Sequence, residues 1–367
     1  MKRVLLASSA IIAATGAYAG GIDRSGQGLG ALFEKGRYVE LSYGFVSPTV
    51  DGRDVAAQPT GDVAGSYSQM SLSYKADINE KLSYAINLDQ PFGADVQYGL
   101  TSPVLGGTSA QAHSYAVTGI LRYKFSDAFS VHGGLRMQRS GGDIRLQGLA
   151  YGPLTNYNVN LADDWAPGYV VGIAFEKPEI ALRVALTYNS KITHDFDTTE
   201  RIGTTQVNPV TETDVDLPQS VNLDFQTGVA KDTLVFGQIR WADWSAFRID
   251  PAWFTPRAGG GLVSLEDTIT YTLGVGRRFN ENWAGSFSVT YEPKGSDPLV
   301  SPLAPTDGRY GATIGVVYTK DNMKVTGGIN YTWLGDAQPE TGTPDTARAN
   351  MTDNTLIGVG VKVGWSF

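Results

Sequence analysis

Ile357-Gly358-Val359-Gly360-Val361-Lys362-Val363-Gly364-Trp365-Ser366-Phe367, the end of the chain, decides the fold. Every odd-numbered position is large and apolar, and every even-numbered one is Gly, Lys or Ser. Only an extended strand turns such a period of two into two distinct faces. The same alternation runs through Met323, Val325, Gly327, Ile329, Tyr331 and Trp333, and through Tyr310 to Tyr318. It returns over 283–291, 269–275, 235–241, 221–229, 182–188, 169–175, 131–137, 115–125, 84–88, 70–76 and 39–45. These segments predict about fourteen strands, with no domain boundary among them.

The connections between them alternate in length. Residues 77–80, 126–128, 177–179, 231–232, 280–282 and 320–322 are short polar turns. Long connections lie at about 48–64, 93–111, 141–164, 195–216, 248–264, 292–308 and 335–350. Six short turns and seven long loops suit fourteen antiparallel strands with both termini on the short-turn side, which is the plan of an outer-membrane barrel.

The strand faces indicate the medium. A soluble sandwich carries Lys, Glu and Arg on its outer face. Here the apolar faces run the length of the strands and end in aromatics: Tyr43 with Phe45, Tyr123 with Phe125, Tyr331 with Trp333, Trp365 with Phe367. Aromatic girdles at both ends of an apolar band mark two lipid interfaces. No stretch reaches the roughly 18 consecutive apolar residues of a membrane-spanning helix.

Composition closes other possibilities. The 367 residues include 44 Gly, only 18 % charged residues, three His and no Cys. Disulfides, thiolate metal sites and cysteine nucleophiles are excluded, and neither a metal nor a cofactor is expected. At the head of the chain, Lys2 and Arg3, the apolar run 4–15 and Ala17-Tyr18-Ala19 have the order of a cleaved secretory signal over residues 1–19. Its removal takes the formal net charge from −8 to −10. So acidic a surface disfavours nucleic acid as a partner.

Several motifs resemble one family. Gly21-Ile22-Asp23-Arg24-Ser25-Gly26-Gln27-Gly28-Leu29-Gly30, Ser47-Pro48-Thr49-Val50-Asp51-Gly52, 217–223 (Leu-Pro-Gln-Ser-Val-Asn-Leu), Trp241-Ala242-Asp243-Trp244-Ser245 and Leu265-Glu266-Asp267-Thr268 followed by Asn282-Trp283 are similar to the FadL family. The resemblance implies an outer-membrane channel for long-chain fatty acids or other hydrophobic compounds, aromatic hydrocarbons included. It also implies a fourteen-stranded all-β barrel over 37–367, a small hatch in the lumen and sideways release of ligand. The hatch, over 20–36 with Ser25, Gly26, Gly28 and Gly30, is shorter than is usual in the family.

Candidate sites follow. In the third strand, good alternation from Leu82 to Leu88 runs into Asp89-Gln90-Pro91-Phe92-Gly93. Proline gives the ladder no N–H and glycine weakens it, so either the strand ends at Gln90 or, as the resemblance implies, it bends inward and leaves a gap in the wall. In the ninth strand, Leu234, Phe236, Arg240 and Trp244 take the inward parity, a mixed lining suited to an apolar tail held by a few polar contacts. Arg136, Arg183 and Lys191 share inward parity, and Arg139 and Arg145 lie near the outer end of the fifth strand; any of these cations could meet a carboxylate head group. Leu149, Tyr151, Leu154, Tyr157 and Leu161 make the third long loop apolar, either as a surface for first capture or to pack over the barrel mouth.

An enzyme would need His113, His132 or His194 beside acids and hydroxyls, and no spacing indicates that. A nonspecific diffusion porin is the main competing reading. The partners expected are hydrophobic small molecules, outer-membrane lipid and lipopolysaccharide, and the barrel-assembly machinery, which would read the terminal aromatic Phe367.

Overall fold

The computed structural model describes residues 22–367, so the signal sequence expected over 1–19 lies outside the described residues. The alternating segments pair into one antiparallel sheet. β1 is Tyr38–Thr49, β2 is Tyr67–Asp77, and β3 is Leu82–Asp89 continued beyond a bend by Gly93–Gln97. β4 (Ser109–Lys124), β5 (Phe129–Leu146) and β6 (Tyr157–Lys177) are long and regular. β7 is Leu182–Asn189 continued by Ile192–Ile202, and β8 joins Thr205–Gln206, Thr211–Leu217 and Ser220–Ala230. β9 (Thr233–Ala242), β10 (Thr268–Arg278), β11 (Trp283–Glu292), β12 (Arg309–Lys320), β13 (Met323–Leu334) and β14 (Thr355–Ser366) complete the set. With each bent strand counted once, the 18 hydrogen-bonded segments are fourteen strands. β14 pairs with β1 from Tyr38↔Ser366 to Thr49↔Thr355, which closes the sheet into a barrel.

Burial is inverted relative to a soluble protein. Leu41, Tyr43, Phe45, Leu72, Val117, Leu121, Val359 and Val361 are exposed on the outside, while Lys75, Asn87, Arg122, Arg136, Asn222, Arg240 and Asn330 are buried inside. An apolar outer face of this extent fits lipid. Rings gather at both rims: Tyr310 stacks on Trp333 at 5.3 Å at the long-loop end, and Trp283 meets Tyr318 at 4.9 Å at the short-turn end. No helix of the described residues is long and apolar enough to cross a membrane.

The expected long loops at 141–164 and 195–216 are mostly strand. β5 runs to Leu146, β6 starts at Tyr157, and β7 and β8 continue upward as a hairpin paired with β6 through Thr198↔Leu161 to Ile202↔Tyr157. With 18 residues in β5 and 21 in β6, these strands far exceed the ~9–11 that cross a bilayer. They project beyond it. There the alternation changes sign: Ile144, Leu146, Val159, Phe196, Val215 and Leu217 are buried inside, while Arg145, Asp195, Glu212 and Asp214 face water. Polar outward residues gave these segments the composition of a loop.

Candidate functional site

The site is built where the chain first enters the bore. Residues 22–33 run down the lumen, and their first part docks on the bend in β3 as an added strand. Asp23 bridges Phe92, the Arg24 N–H donates to the Pro91 carbonyl at 2.7 Å, and the Gly93 N–H donates to the Ile22 carbonyl at 2.8 Å. The ladder groups that the bend would orphan are thereby satisfied. Ser114 does the rest from β4, its hydroxyl lying 2.8 Å from both the N and the O of Phe92.

The bend opens the wall on one side only. β3 pairs with β4 both below and above it, Leu82↔Tyr123 to Asp89↔Ala116 and then Gly93↔His113 to Gln97↔Ser109. On its other side the pairing with β2 stops at Leu72↔Leu88, although β2 continues upward to Tyr67 along β1. Above Leu72 the β2–β3 ladder is not continued among the described residues. Gln90 touches it there, its Oε1 accepting from the Met70 N–H at 3.0 Å and its carbonyl accepting from Gln69 Nε2 at 3.2 Å. A cavity of about 90 Å³ lies at this break, lined among others by Ile22, Arg24, Tyr67, Gly93 and Leu303.

Hydrogen bonds and one ion pair hold the hatch across the bore. Asp23 and Arg240, each 2 % exposed, pair at 2.5 Å. Arg240 also donates to Ser220 Oγ at 3.0 Å, Asn222 Oδ1 at 2.8 Å and Gln27 Oε1 at 3.3 Å. Asn222 in turn donates to the Gly26 carbonyl at 2.9 Å, and Ser25 Oγ donates to Asp89 Oδ2 at 2.7 Å. Gly26 sits at φ +61°, the left-handed region that glycine enters at no steric cost. Gly28 and Gly30 line the lumen beneath it. Further down, Leu29 and Leu32 pack on Ala85, Ile120 and Val170, and the Phe33 ring lies 4.6 Å from the guanidinium of Arg122 and equally far from that of Arg183.

Two media meet at the hatch. Below it a cavity of about 290 Å³ is lined largely by polar side chains, Ser42, Asn87, Thr118, Arg136, Gln238 and Thr313 among them. Above it the mouth is filled by an apolar cluster in which Phe92, Leu161, Phe196, Trp244, Phe247 and Phe254 take part. Trp244 is fully buried, edge-on to Phe92 at 5.5 Å and to Phe247 at 5.7 Å, and its indole N–H has no hydrogen-bond partner among the described residues. The apolar mouth thus abuts the bend through Phe92. Glu200 ties loop to strand inside the cluster, accepting from Tyr157 Oη, Asn208 Nδ2 and the N–H groups of Trp253 and Phe254 at 2.7–3.0 Å.

The candidate residues named from the sequence sort by place. Leu234 and Phe236 face inward, Phe236 over Gly274, where a Cβ would stand 2.4 Å from its Cζ. Trp244 is inside too, on a single helical turn (Trp244–Ala246) after β9 rather than on the strand. Arg136 lines the lumen and donates to Thr118 Oγ1 at 2.9 Å; Arg183 donates to Gln226 Oε1 at 3.2 Å. Arg139, Arg145 and Lys191 do not line the lumen. Arg139 pairs outside with Asp163 at 2.5 Å, Arg145 donates outside to Asn158 Oδ1 at 2.8 Å, and Lys191 holds Asp216 at 2.7 Å on the surface of the bend in β7. Arg139 and Arg145 share the outward parity of Leu135 and Met137 on β5, which simple alternation already assigns, whereas the break at Ser190-Lys191 reverses the parity of β7 and turns Lys191 outward.

The proposed capture loop is corrected likewise. Leu149 is exposed at the tip (77 %) and Tyr151 and Leu154 are half-buried, but Tyr157 and Leu161 belong to β6 and are buried in the mouth. Asp23, Arg24 and Gln27 drew no role from the sequence although their motif was noted, because nothing local tells that they reach Arg240 and the bend.

Histidine–carboxylate pairs do form, His113–Asp163 at 2.7 Å outside and His194–Asp164 at 2.9 Å inside. Among the described residues no hydroxyl hydrogen-bonds to either ring, and His132 meets Thr187 Oγ1 at 3.0 Å without a carboxylate. These pairs do not assemble a nucleophile, base and orienting acid.

A closed barrel with a lipid-facing belt and its N-terminal segment docked in the bore defines a plugged outer-membrane transport channel. The chain belongs to the OMPP1/FadL/TodX family of outer membrane transport proteins, whose profile matches residues 36–364. That family is one of channels for hydrophobic compounds rather than of enzymes. Similar solved structures include a Pseudomonas aeruginosa FadL homologue (TM-score 0.74, 15 % identity, 97 % of each chain covered). The P. putida toluene transporter TodX gives a TM-score of 0.65 at 14 % identity, with 91 % of each chain covered. The Ralstonia pickettii toluene transporter TbuX gives 0.63 at 13 %, covering 92 % of this chain and 90 % of that one. At these identities the likeness speaks to the fold. No match is found among curated proteins.

Proposed function

We propose that the protein carries hydrophobic molecules passively across the bacterial outer membrane, with long-chain fatty acids as the first substrate class and aromatic hydrocarbons, as transported by TodX and TbuX, as the second. Ligand is captured at Leu149, Tyr151 and Leu154, partitions into the apolar mouth around Trp244, and leaves sideways between β2 and β3 into the outer leaflet. The observation that carries this reading is the end of the β2–β3 pairing at Leu72↔Leu88, with the Phe92 end of the apolar cluster beside it. An apolar solute on that route never enters the polar cavity below the hatch, where its transfer would cost about 25 cal/mol per Å² of apolar surface wetted. Arg136 and Arg183 serve the polar lumen.

Outside the belt, Arg139 and Arg145 face the lipopolysaccharide layer, and Phe367, 74 % exposed at the rim, is the element the assembly machinery reads. The test pairs saturable uptake of labelled oleate by expressing cells with single-channel recording of purified protein in planar bilayers. Uptake with little ion conductance is expected. Large, stable conductance steps without saturable uptake make the protein a diffusion porin instead.

A further inference from the structure

Arg24 leaves the hatch through the break in the wall. Its Nε donates to the Gly93 carbonyl at 3.0 Å and its guanidinium carbon lies 4.0 Å from the centre of the Tyr67 ring. Gly93 is cross-strand partner to His113, whose side chain is 47 % exposed on the outer face. A Cβ on Gly93 would stand 2.6 Å from the Arg24 guanidinium carbon, so the guanidinium lies against the outward side of β3. Only a glycine leaves it room. Tyr115, two residues below His113 on the same outward face, belongs to the outer aromatic rim, so the guanidinium sits at the level of the outer-leaflet head groups. Among the described residues Arg24 has no ion-pair partner. Asp95, opposite Gln111 on the outward face, attracts the guanidinium from beyond ion-pair distance.

We propose that Arg24 guards the side opening as its specificity-determining residue and favours amphiphiles that carry a carboxylate over neutral molecules with the same tail. This rests on the sideways route described above. An opening between apolar mouth and lipid needs no cation to pass a hydrocarbon, and a neutral molecule must push the guanidinium off Tyr67 and Gly93 with nothing in exchange. A carboxylate offers a two-point, charge-assisted contact in exchange for those it displaces, at the depth where fatty-acid head groups rest.

The experiment compares uptake of labelled oleate and oleyl alcohol, identical in tail, by cells expressing wild type, Arg24→Gln, Arg24→Lys and Gly93→Ala, with unboiled gels to show folded barrels. The Arg24 side chain takes no part in the ladder and every variant keeps the backbone N–H that bonds Pro91, so assembly is expected to persist. Wild type should prefer oleate. Arg24→Gln should cut oleate uptake about tenfold and leave the alcohol unchanged or faster, with Lys restoring part of the preference. Gly93→Ala, which keeps the charge but displaces it, should lose the preference as Gln does. An oleate-to-alcohol ratio unmoved by Arg24→Gln, or equal losses for both compounds, overturns the inference while the channel reading stands. Failure of wild type to carry either compound overturns both.

Discussion

At the scale of the residue, the hatch hangs on Asp23 and Arg240. Both are buried, and removing one partner of such a pair leaves an uncompensated charge at a cost of about 3–5 kcal/mol. Asp23→Ala should therefore release the hatch while leaving the barrel folded. Proteolysis near Arg24 in intact outer membranes and a higher single-channel conductance would report it; a protected, non-conducting variant would show that Leu29, Leu32 and Phe33 hold the plug unaided. Phe236 offers a second reading at this scale. Its ring faces the lumen over Gly274 in the cavity below the hatch, off the sideways route, so Phe236→Asp should keep a heat-modifiable barrel and leave oleate uptake unchanged; uptake lowered several-fold would put the ligand's path below the hatch.

At the scale of the element, the bend in β3 is the unusual part. Pro91 denies the ladder a donor, and the inward path of residues 90–92 ends the pairing of β2 with β3 at Leu72↔Leu88. Pro91→Val with Gly93→Thr restores a donor and β-branched strand residues, and the new side chain at 93 also expels the Arg24 guanidinium. That double variant should abolish uptake with folding intact or improved. Retained transport in a folded double variant would leave passage straight down through the lumen as the better account. The mouth rests on another element, the buried Glu200 that gathers four donors from three segments. Glu200→Ala strands those donors at about 1–3 kcal/mol each, so hydrogen exchange at Trp253 and Phe254 should rise by orders of magnitude while the strands below stay protected.

At the scale of the whole molecule, the inverted burial makes the barrel dependent on lipid or detergent. The mature chain should begin near Gly20 and run faster on gels before boiling than after. Recovery in the soluble periplasm with migration unchanged by boiling would remove the membrane assignment. Closure between β1 and β14 puts the terminal Phe367 at the seam, where its backbone N–H donates to the Arg37 carbonyl at 2.9 Å. Deleting it should slow assembly, read as unfolded protein accumulating in pulse-labelled cells, more than it weakens barrels already formed.

Strand number, closure and medium were legible in the sequence because the side-chain period of a strand is local and lipid repeats the same apolar demand on every strand. The proline-marked bend was legible for the same reason: the missing N–H belongs to Pro91 wherever the chain goes. The strands beyond the bilayer were not, since outside lipid the apolar face turns inward and the pattern inverts. Nor was the pairing of Asp23 with Arg240, or the passage of Arg24 past Gly93 to the outer face. Those contacts join residues 217 and 69 positions apart, and only closure of the barrel around the hatch brings them within hydrogen-bond distance.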